Sequence, residues 1–397
     1  MHDSAEILTY IIMAYLCGRH SLRRALMWAR NHLSFLRQYM KLENGIASVS
    51  TVHRLLRDID QEEFNNILMQ WTAQLLSHRK LTIALDGKAL RGATDRIADE
   101  KTPYLLNVLD VETKLVIAQL PVSMKSNEIT GIPELLGILD LQGNLITIDA
   151  IGTQWKIMDV ISSAGGYYLL TVKDNQSGIG REISGYFRTV QSRIKNERTS
   201  AEEEKYSHHY ACEHNRSRYE YRDMKAIQEN PITCREELAF DDIKTIGLHE
   251  QVRIPEKRDK DGNDITPDYD TFRKEAIERK KSKKKDNTDK YDDEYLCEEM
   301  ISNKLMTAEE MAQIKRGHWA IENSLHHVLD DQFREDRSNA RATKDNLALI
   351  RKICFNLLQC GIHHEYPEYG PTEMMDTFTD DLKLLAKYIF QGIPCFE

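Results

Sequence analysis

Three acidic residues stand where a chain can do chemistry. Asp86 ends the apolar run Leu81-Thr-Ile-Ala-Leu85, and Asp149 ends Asn144-Leu-Ile-Thr-Ile148. Each reads as a carboxylate at the C-terminal end of a strand, and open α/β sheets place their sites outside those ends. The third, Glu322, falls in a helical stretch that starts at the capping box Thr307-Ala-Glu-Glu310 and runs through His318 and His326 towards Leu329. An isolated Asp after a strand is more often a turn former or helix cap. Two of them, on strands expected to be neighbours, weaken that plainer reading. Three carboxylates at one point repel, and without compensation one of them would hold a proton. Divalent cations remove the repulsion, and oxygen-only ligands suit Mg²⁺, with Mn²⁺ able to substitute. Two such ions about 3.5–4 Å apart can activate an attacking oxygen and stabilise a leaving one at a phosphodiester. The chemistry expected of these residues is metal-dependent phosphoryl transfer on a nucleic acid backbone.

Around Glu322, the residues His318, His326 and Asp330 recur at spacings of four, hence on one face of an α-helix. A zinc site is the competing reading, but the zincin pattern H-E-x-x-H is absent. The histidines would instead contact phosphate or orient the carboxylate. Trp319 beside that face reads as a core residue first and a base-stacking residue second.

The elements that must position these groups follow from the apolar patterning. Three strands are expected at Leu81–Leu85, Tyr104–Leu109 and Leu115–Leu120, the last two joined by Asp110-Val-Glu-Thr-Lys114. A helix from about Ile132 to Leu139, with Pro133 in its first turn, precedes the strand ending at Asp149. A helix over about Gln154 to Ser163 is stopped by Gly165-Gly166, and Tyr167–Val172 is a fifth strand. That order is a mixed sheet with helical cover, an α/β fold.

Residues 1–80 read as helical, with apolar residues at Ile7, Leu8, Ile11, Ile12 and Tyr15. After the break at Glu43-Asn44-Gly45, Ser48 or Ser50 would cap a helix exposing Thr51, His53, Arg54 and Arg57. A short basic helix after a tight turn resembles a helix-turn-helix reading helix, and an ordinary helical bundle explains it equally well. Residues 191–300 are polar and read as an insertion with loops, strand-like only in pieces such as Ile243–Ile246, and the basic cluster Lys280–Lys285 reads as a solvated linker. Helices return over 301–360, and 361–397 forms a helical tail.

The 397 residues are 41% hydrophobic and 29% charged, which argues against disorder or a fibrous repeat. The net charge of −9 disfavours a nucleic acid partner, but its distribution reverses that locally. Between Arg19 and Arg57, eight Lys and Arg residues face one acid, Glu43. Seven scattered cysteines without a C-x-x-C suit a reducing compartment. The apolar run Ile11–Cys17 is too short to span a bilayer, and no signal-peptide pattern opens the chain. A cytoplasmic protein without a membrane partner is expected.

At these residues the chain resembles the H-repeat-associated insertion-sequence transposases, a group of DDE-type enzymes. The matches are Leu42-Glu-Asn-Gly-Ile46, Ala84-Leu-Asp86-Gly-Lys-Ala-Leu-Arg-Gly92, Lys125-Ser-Asn-Glu-Ile-Thr130, Thr147-Ile-Asp149-Ala-Ile-Gly152, Lys173-Asp-Asn-Gln176, Arg316-Gly-His-Trp-Ala-Ile-Glu322-Asn-Ser-Leu-His326 and Phe333-Arg-Glu-Asp336. Each is short; their order and joint presence are specific. The resemblance implies a ribonuclease H-like catalytic core, with a mixed five-stranded sheet and flanking helices. It adds an all-α N-terminal domain over 1–80 and a polar insertion before the last catalytic helix. The core would begin in 81–190 and finish in 301–360. The implied metal-binding triad is Asp86, Asp149 and Glu322, with Mg²⁺ as cofactor. The implied activity is cleavage at the ends of an insertion element and joining of the freed 3′-OH to target DNA. The implied partner is double-stranded DNA, both element ends and target. Lys88, Arg91, Lys125, Lys173 and His318 are then expected to meet phosphates, and Arg54 and Arg57 to bind the ends. Handling two ends together is compatible with a homodimer, which nothing in the sequence establishes. A metal-dependent nuclease without joining, or an inactive DNA-binding remnant, are the alternatives.

Overall fold

The computed structural model describes residues 2–77, 79–94, 102–122, 128–149, 152–172, 177–197, 205–214, 217–233, 241–283 and 294–396. The chain divides into two compact units, one from Met1–Asp140 plus Gly317–Glu397 and one from Leu141–Arg316. The division falls inside the helix Ala308–Ala320.

In the first unit the N-terminal helices are Ser4–Leu16, Leu22–Asn31, Leu33–Leu36, Val49–Asp58 and Gln61–Leu75. Side chains close several of their starts. Asp3 accepts from the Ala5 and Glu6 N–H groups, Ser21 from Arg24, Ser48 from Thr51 and Asp60 from Glu63. Each such cap stabilises a helix by about 1 kcal/mol. Of the two serines expected before the fourth helix, Ser48 is the cap. Strands β1 (Thr82–Ala89), β2 (Tyr104–Asp110) and β3 (Val116–Val122) pair antiparallel in chain order. The helix Glu128–Gly137 follows; Pro133 lies within it rather than in its first turn.

The centre of this unit is the helix Lys344–His364, in which 15 of 21 residues are buried. It packs on Ser4–Leu16, Gln61–Leu75, β3 and Pro371–Asp380. Its amides tie it down. The Val116 N–H donates to Asn356 Oδ1 at 2.8 Å, and Asn356 Nδ2 donates back to the Val116 carbonyl at 2.8 Å. Asn346 Nδ2 donates to the Leu56 and Ile59 carbonyls. On the N-terminal side, Asn65 Oδ1 accepts from the Gln119 N–H at 3.0 Å. Strand β3 would otherwise present backbone groups that need partners, and these side chains supply them.

The second unit holds β4 (Leu145–Ile148) and β5 (Tyr167–Val172), parallel and joined through the helix Trp155–Ser163. Strands β6 (Tyr206–His214), β7 (Arg218–Ile227), β8 (Thr245–Pro255) and β9 (Tyr295–Ser302) are antiparallel, and the order within the unit is β4-β5-β9-β8-β7-β6. From Thr82 to Val172 the element order is the expected one. The expectation of five strands and a looped insertion is corrected here: β6 to β9 add four strands, three of them within 191–300 together with the helix Tyr269–Lys283. Charge hides them from a hydropathy pattern. Arg222 reaches Glu220 on its own strand at 2.5 Å and Glu213 on β6 at 3.0 Å, and Lys225 reaches Asp223 at 2.8 Å. The apolar side of this region is the cluster Val252, Ile254, Phe272 and Ala276, with Tyr219, Tyr221, Tyr269 and Tyr295 packed on it. No helix among the described residues is long and apolar enough to cross a membrane.

Candidate functional site

Asp86 lies within β1, not at its end, because the strand runs on through Lys88 and Ala89, which pair with Leu105 and Tyr104. Gly87 makes room for this: a Cβ there would fall 2.2 Å from the Tyr104 ring. Asp86 pairs across the sheet with Asn107. β1 also packs against a six-residue π-helical turn, Ile321–His326, that follows the helix Ala308–Ala320. Glu322 sits in that turn and is exposed. Wider π turns are uncommon and occur often at functional sites. The turn also alters the expected face: the spacing of four that groups His318 with Glu322 and His326 assumes an uninterrupted α-helix.

His326 links the two elements. Its Nδ1 is 3.6 Å from Asp86 Oδ2, and its Nε2 is 3.2 Å from Asn107 Nδ2. With the Asn107 amide as donor, Nε2 accepts and Nδ1 carries the proton towards Asp86. Burial, with Lys88 and Lys352 adding to it, pushes the His326 pKa down to about 3. The imidazole is therefore neutral at ordinary pH.

Behind Asp86 lies a group of charges built around buried Lys88, Glu335 and Lys352. Lys88 is 6% exposed; its Nζ donates to Asp330 Oδ1 at 2.6 Å and lies 3.5 Å from Glu335 and 3.6 Å from Asp336. Burial holds the Asp330 carboxyl above its usual range, against the pull of Lys88. Glu335, 3% exposed, also meets Arg351 at 3.6 Å. Lys352 is wholly buried, its ammonium has no hydrogen-bond partner among the described residues, and burial pushes its pKa down to about 8. The sequence reading missed this group. Its one visible signal was Arg351-Lys352 inside an otherwise apolar helical pattern.

The other expected residues fall as follows. Lys88 faces carboxylates inside the protein and is not placed to meet a phosphate at the surface. His318 is also buried, at 6% exposure. Arg91 is largely exposed, with its Nε 4.0 Å from Asp336. Arg54 and Arg57 are exposed on the helix Val49–Asp58, and Arg57 pairs with Asp58 at 2.7 Å. Lys125 and Lys173 lie outside the described residues. Asp149 belongs to the second unit, one residue beyond β4, and is exposed; its carbonyl accepts from the Gly152 N–H at 2.7 Å. Among the described residues no group of three His, Cys, Asp or Glu side chains is gathered to hold a metal ion. The donor type of Asp86 and Glu322, hard carboxylate oxygen on two packed elements of one unit, matches Mg²⁺.

A family model for the DDE_Tnp_1-associated domain matches residues 1–72, and one for the transposase DDE domain matches residues 77–358. The chain belongs to the DDE transposase family. Among curated relatives of this transposase, the "Putative transposase YncI" of Escherichia coli O157:H7 is 30% identical over 365 residues, covering 90% of this chain and 82% of that one. The "H repeat-associated putative transposase YhhI" of Escherichia coli strain K12 is 29% identical over 367 residues, covering 90% and 85%. Among solved structures, a piggyBac transposase synaptic complex with hairpin DNA aligns with a TM-score of 0.43 and 11% identity, over 98% of this chain and 73% of that one.

Proposed function

We propose that this transposase cuts DNA at the ends of its own element and joins the freed 3′-OH to target DNA, on a ribonuclease H-like core with Asp86, Asp149 and Glu322 as the metal-binding carboxylates. The observation that carries the reading is the packing of β1, which bears Asp86, on the π-helical turn that bears Glu322, within a family-matched DDE domain. In the first step a water oxygen attacks phosphorus and the P–O3′ bond breaks, leaving a 3′-OH on the element. In the second, that 3′ oxygen attacks a target phosphodiester, and the leaving group departs as a target 3′-OH. Bound Mg²⁺ would supply charge neutralisation at the phosphate and at the attacking oxygen. Asp86 and Glu322 contribute acceptor oxygens. His326 directs its Nδ1–H towards Asp86 and, being neutral, adds no cation to compete there. Lys88 fixes the β1 strand from behind through Asp330. Handling two ends in one event favours a symmetric homodimer.

The test is cleavage and joining with DNA carrying the element ends. Asp86→Asn, Asp149→Asn and Glu322→Gln should each abolish both steps in Mg²⁺ or Mn²⁺, while melting temperatures stay close to that of the parent. Cleavage that survives all three changes refutes the site assignment. Cleavage without joining of a pre-cut 3′-OH end identifies a nuclease instead.

A further inference from the structure

A second site lies in the same unit, away from the carboxylates. Helices Ser4–Leu16, Leu22–Asn31 and Val49–Asp58 and the loop 334–340 enclose a cavity of about 530 Å³. Arg23, Arg24, Arg334 and Arg337 line it, together with His20 and His53, and no acidic residue does. None of the four guanidinium groups makes an ion pair among the described residues. Four unneutralised cations around one cavity repel each other, and an anion relieves that cost. The floor is apolar, with Tyr15, Leu22 and Leu347, and a low-dielectric wall strengthens the field of the charges above it. Leu22–Asn31 begins at the cavity, so the positive end of its dipole adds to the same field. The crowding is felt by His20, whose pKa falls to about 4 through burial and then through Arg334, Arg351, Arg19 and Arg24.

The loop connects this cavity to the proposed catalytic side. Its arginines and Glu335 face different surroundings: Arg334 and Arg337 are exposed at the cavity, whereas Glu335 is buried against Lys88 and Arg351. Arg334 adopts a left-handed backbone, φ 52°, ψ 41°, a conformation that disfavours side-chain-bearing residues. Gly92 lets the loop approach β1's neighbouring turn, since a Cβ there would lie 2.4 Å from the Asp336 carbonyl. Lys88 is two residues from Asp86 on the same strand.

We propose that this cavity is a phosphate-binding site for the backbone of duplex DNA, formed by Arg23 and Arg24 from one side and Arg334 and Arg337 from the other. It rests on the reading of the chain as a DNA-processing transposase, and it assigns the anchoring of that DNA to residues that the sequence reading did not single out. Arginine suits the role because its planar fork gives two parallel hydrogen bonds to a phosphate.

The experiment measures binding of the full chain to a short random-sequence duplex in EDTA, across a salt series, so that it is independent of cleavage. R23Q/R24Q and R334Q/R337Q change exposed side chains and should keep the parent melting temperature. Each pair should weaken binding about tenfold and flatten the dependence of log K on log salt by about one for every phosphate no longer neutralised. R334K/R337K should recover part of the loss. Unchanged affinity and salt slope in both Gln pairs overturns the proposal even if cleavage is normal. Inorganic phosphate that raises the melting temperature through these arginines, with duplex binding unaffected by their loss, also overturns it and marks a free-anion site. Failure of cleavage with arginine-dependent binding intact would count against the catalytic reading alone.

Discussion

The two units use the same kind of charge pair in opposite settings. In the first, Lys88 and Glu335 are almost fully buried, while Asp330 and Asp336 at the edge of the same cluster keep contact with water. In the second, Arg316 meets Glu213 of β6 at a well-exposed position. A buried pair is costly to assemble and costlier to break, because removing one partner strands the other without water. An exposed pair is screened and loosely held. The difference separates charges that define a site's geometry from charges that keep a sheet soluble at its rim.

Substitutions should expose this contrast in order of size. Lys88→Ala should destabilise the protein by about 2–4 kcal/mol, less than the full cost of breaking a wholly buried pair, because Asp330 and Asp336 are partly solvated and Glu335 keeps Arg351; a loss under 1 kcal/mol in denaturant titration would show that solvent screening governs the cluster. Lys352→Met should stabilise it at pH 7 by roughly 1–3 kcal/mol, since an ammonium without a hydrogen-bond partner is replaced by a side chain of similar length. The sign follows from the depressed pKa: between about pH 8 and the ordinary lysine value the unfolded chain holds the proton that the folded one has released, so stability rises with pH there. The advantage of Lys352→Met should therefore shrink across that window. His326 and His20, pushed down to about 3 and about 4, stay neutral in the fold and charge when it opens. Their contribution is complete above pH 6.5 and is lost as pH falls towards 4, so His326→Gln should flatten the acid limb of the stability profile. Smallest of all, Arg316→Ala should cost a few tenths of a kcal/mol, with the loss fading in added salt. A cost above 2 kcal/mol there would erase the distinction between the units.

Much of the architecture was legible where one face of an element is apolar and the other polar. The strand and helix order from Thr82 to Val172 followed from short apolar runs broken by Asp, Gly and Pro, and Ser48 announced its helix through its hydroxyl. The strands β6 to β8 were not legible, because Glu213, Glu220, Arg222 and Glu250 occupy strand positions and satisfy each other or Arg273 and nearby tyrosines across neighbouring elements. For the candidate site, Asp86 and Glu322 were singled out by type and setting, but the π turn was invisible, since residue spacing alone does not reveal a change from 3.6 residues per turn. The burial of Lys88 was not legible for a related reason: a lysine next to an acidic strand residue looks solvent-facing until Asp330, 242 residues later in the chain, supplies its partner.

Strand β3 and the Asn356 amide that clasps it are separated by most of the polypeptide. During synthesis at about 5–20 residues per second, the hairpin waits roughly 10–50 s for the helix Lys344–His364 to leave the ribosome. Until then Val116 has no Asn356 to bond, and nascent chains on one messenger present bare strands to one another. A release experiment with chains stopped before Lys344 should yield aggregates that the full-length product does not form; monomeric release would show that the N-terminal helices alone suffice to chaperone the hairpin.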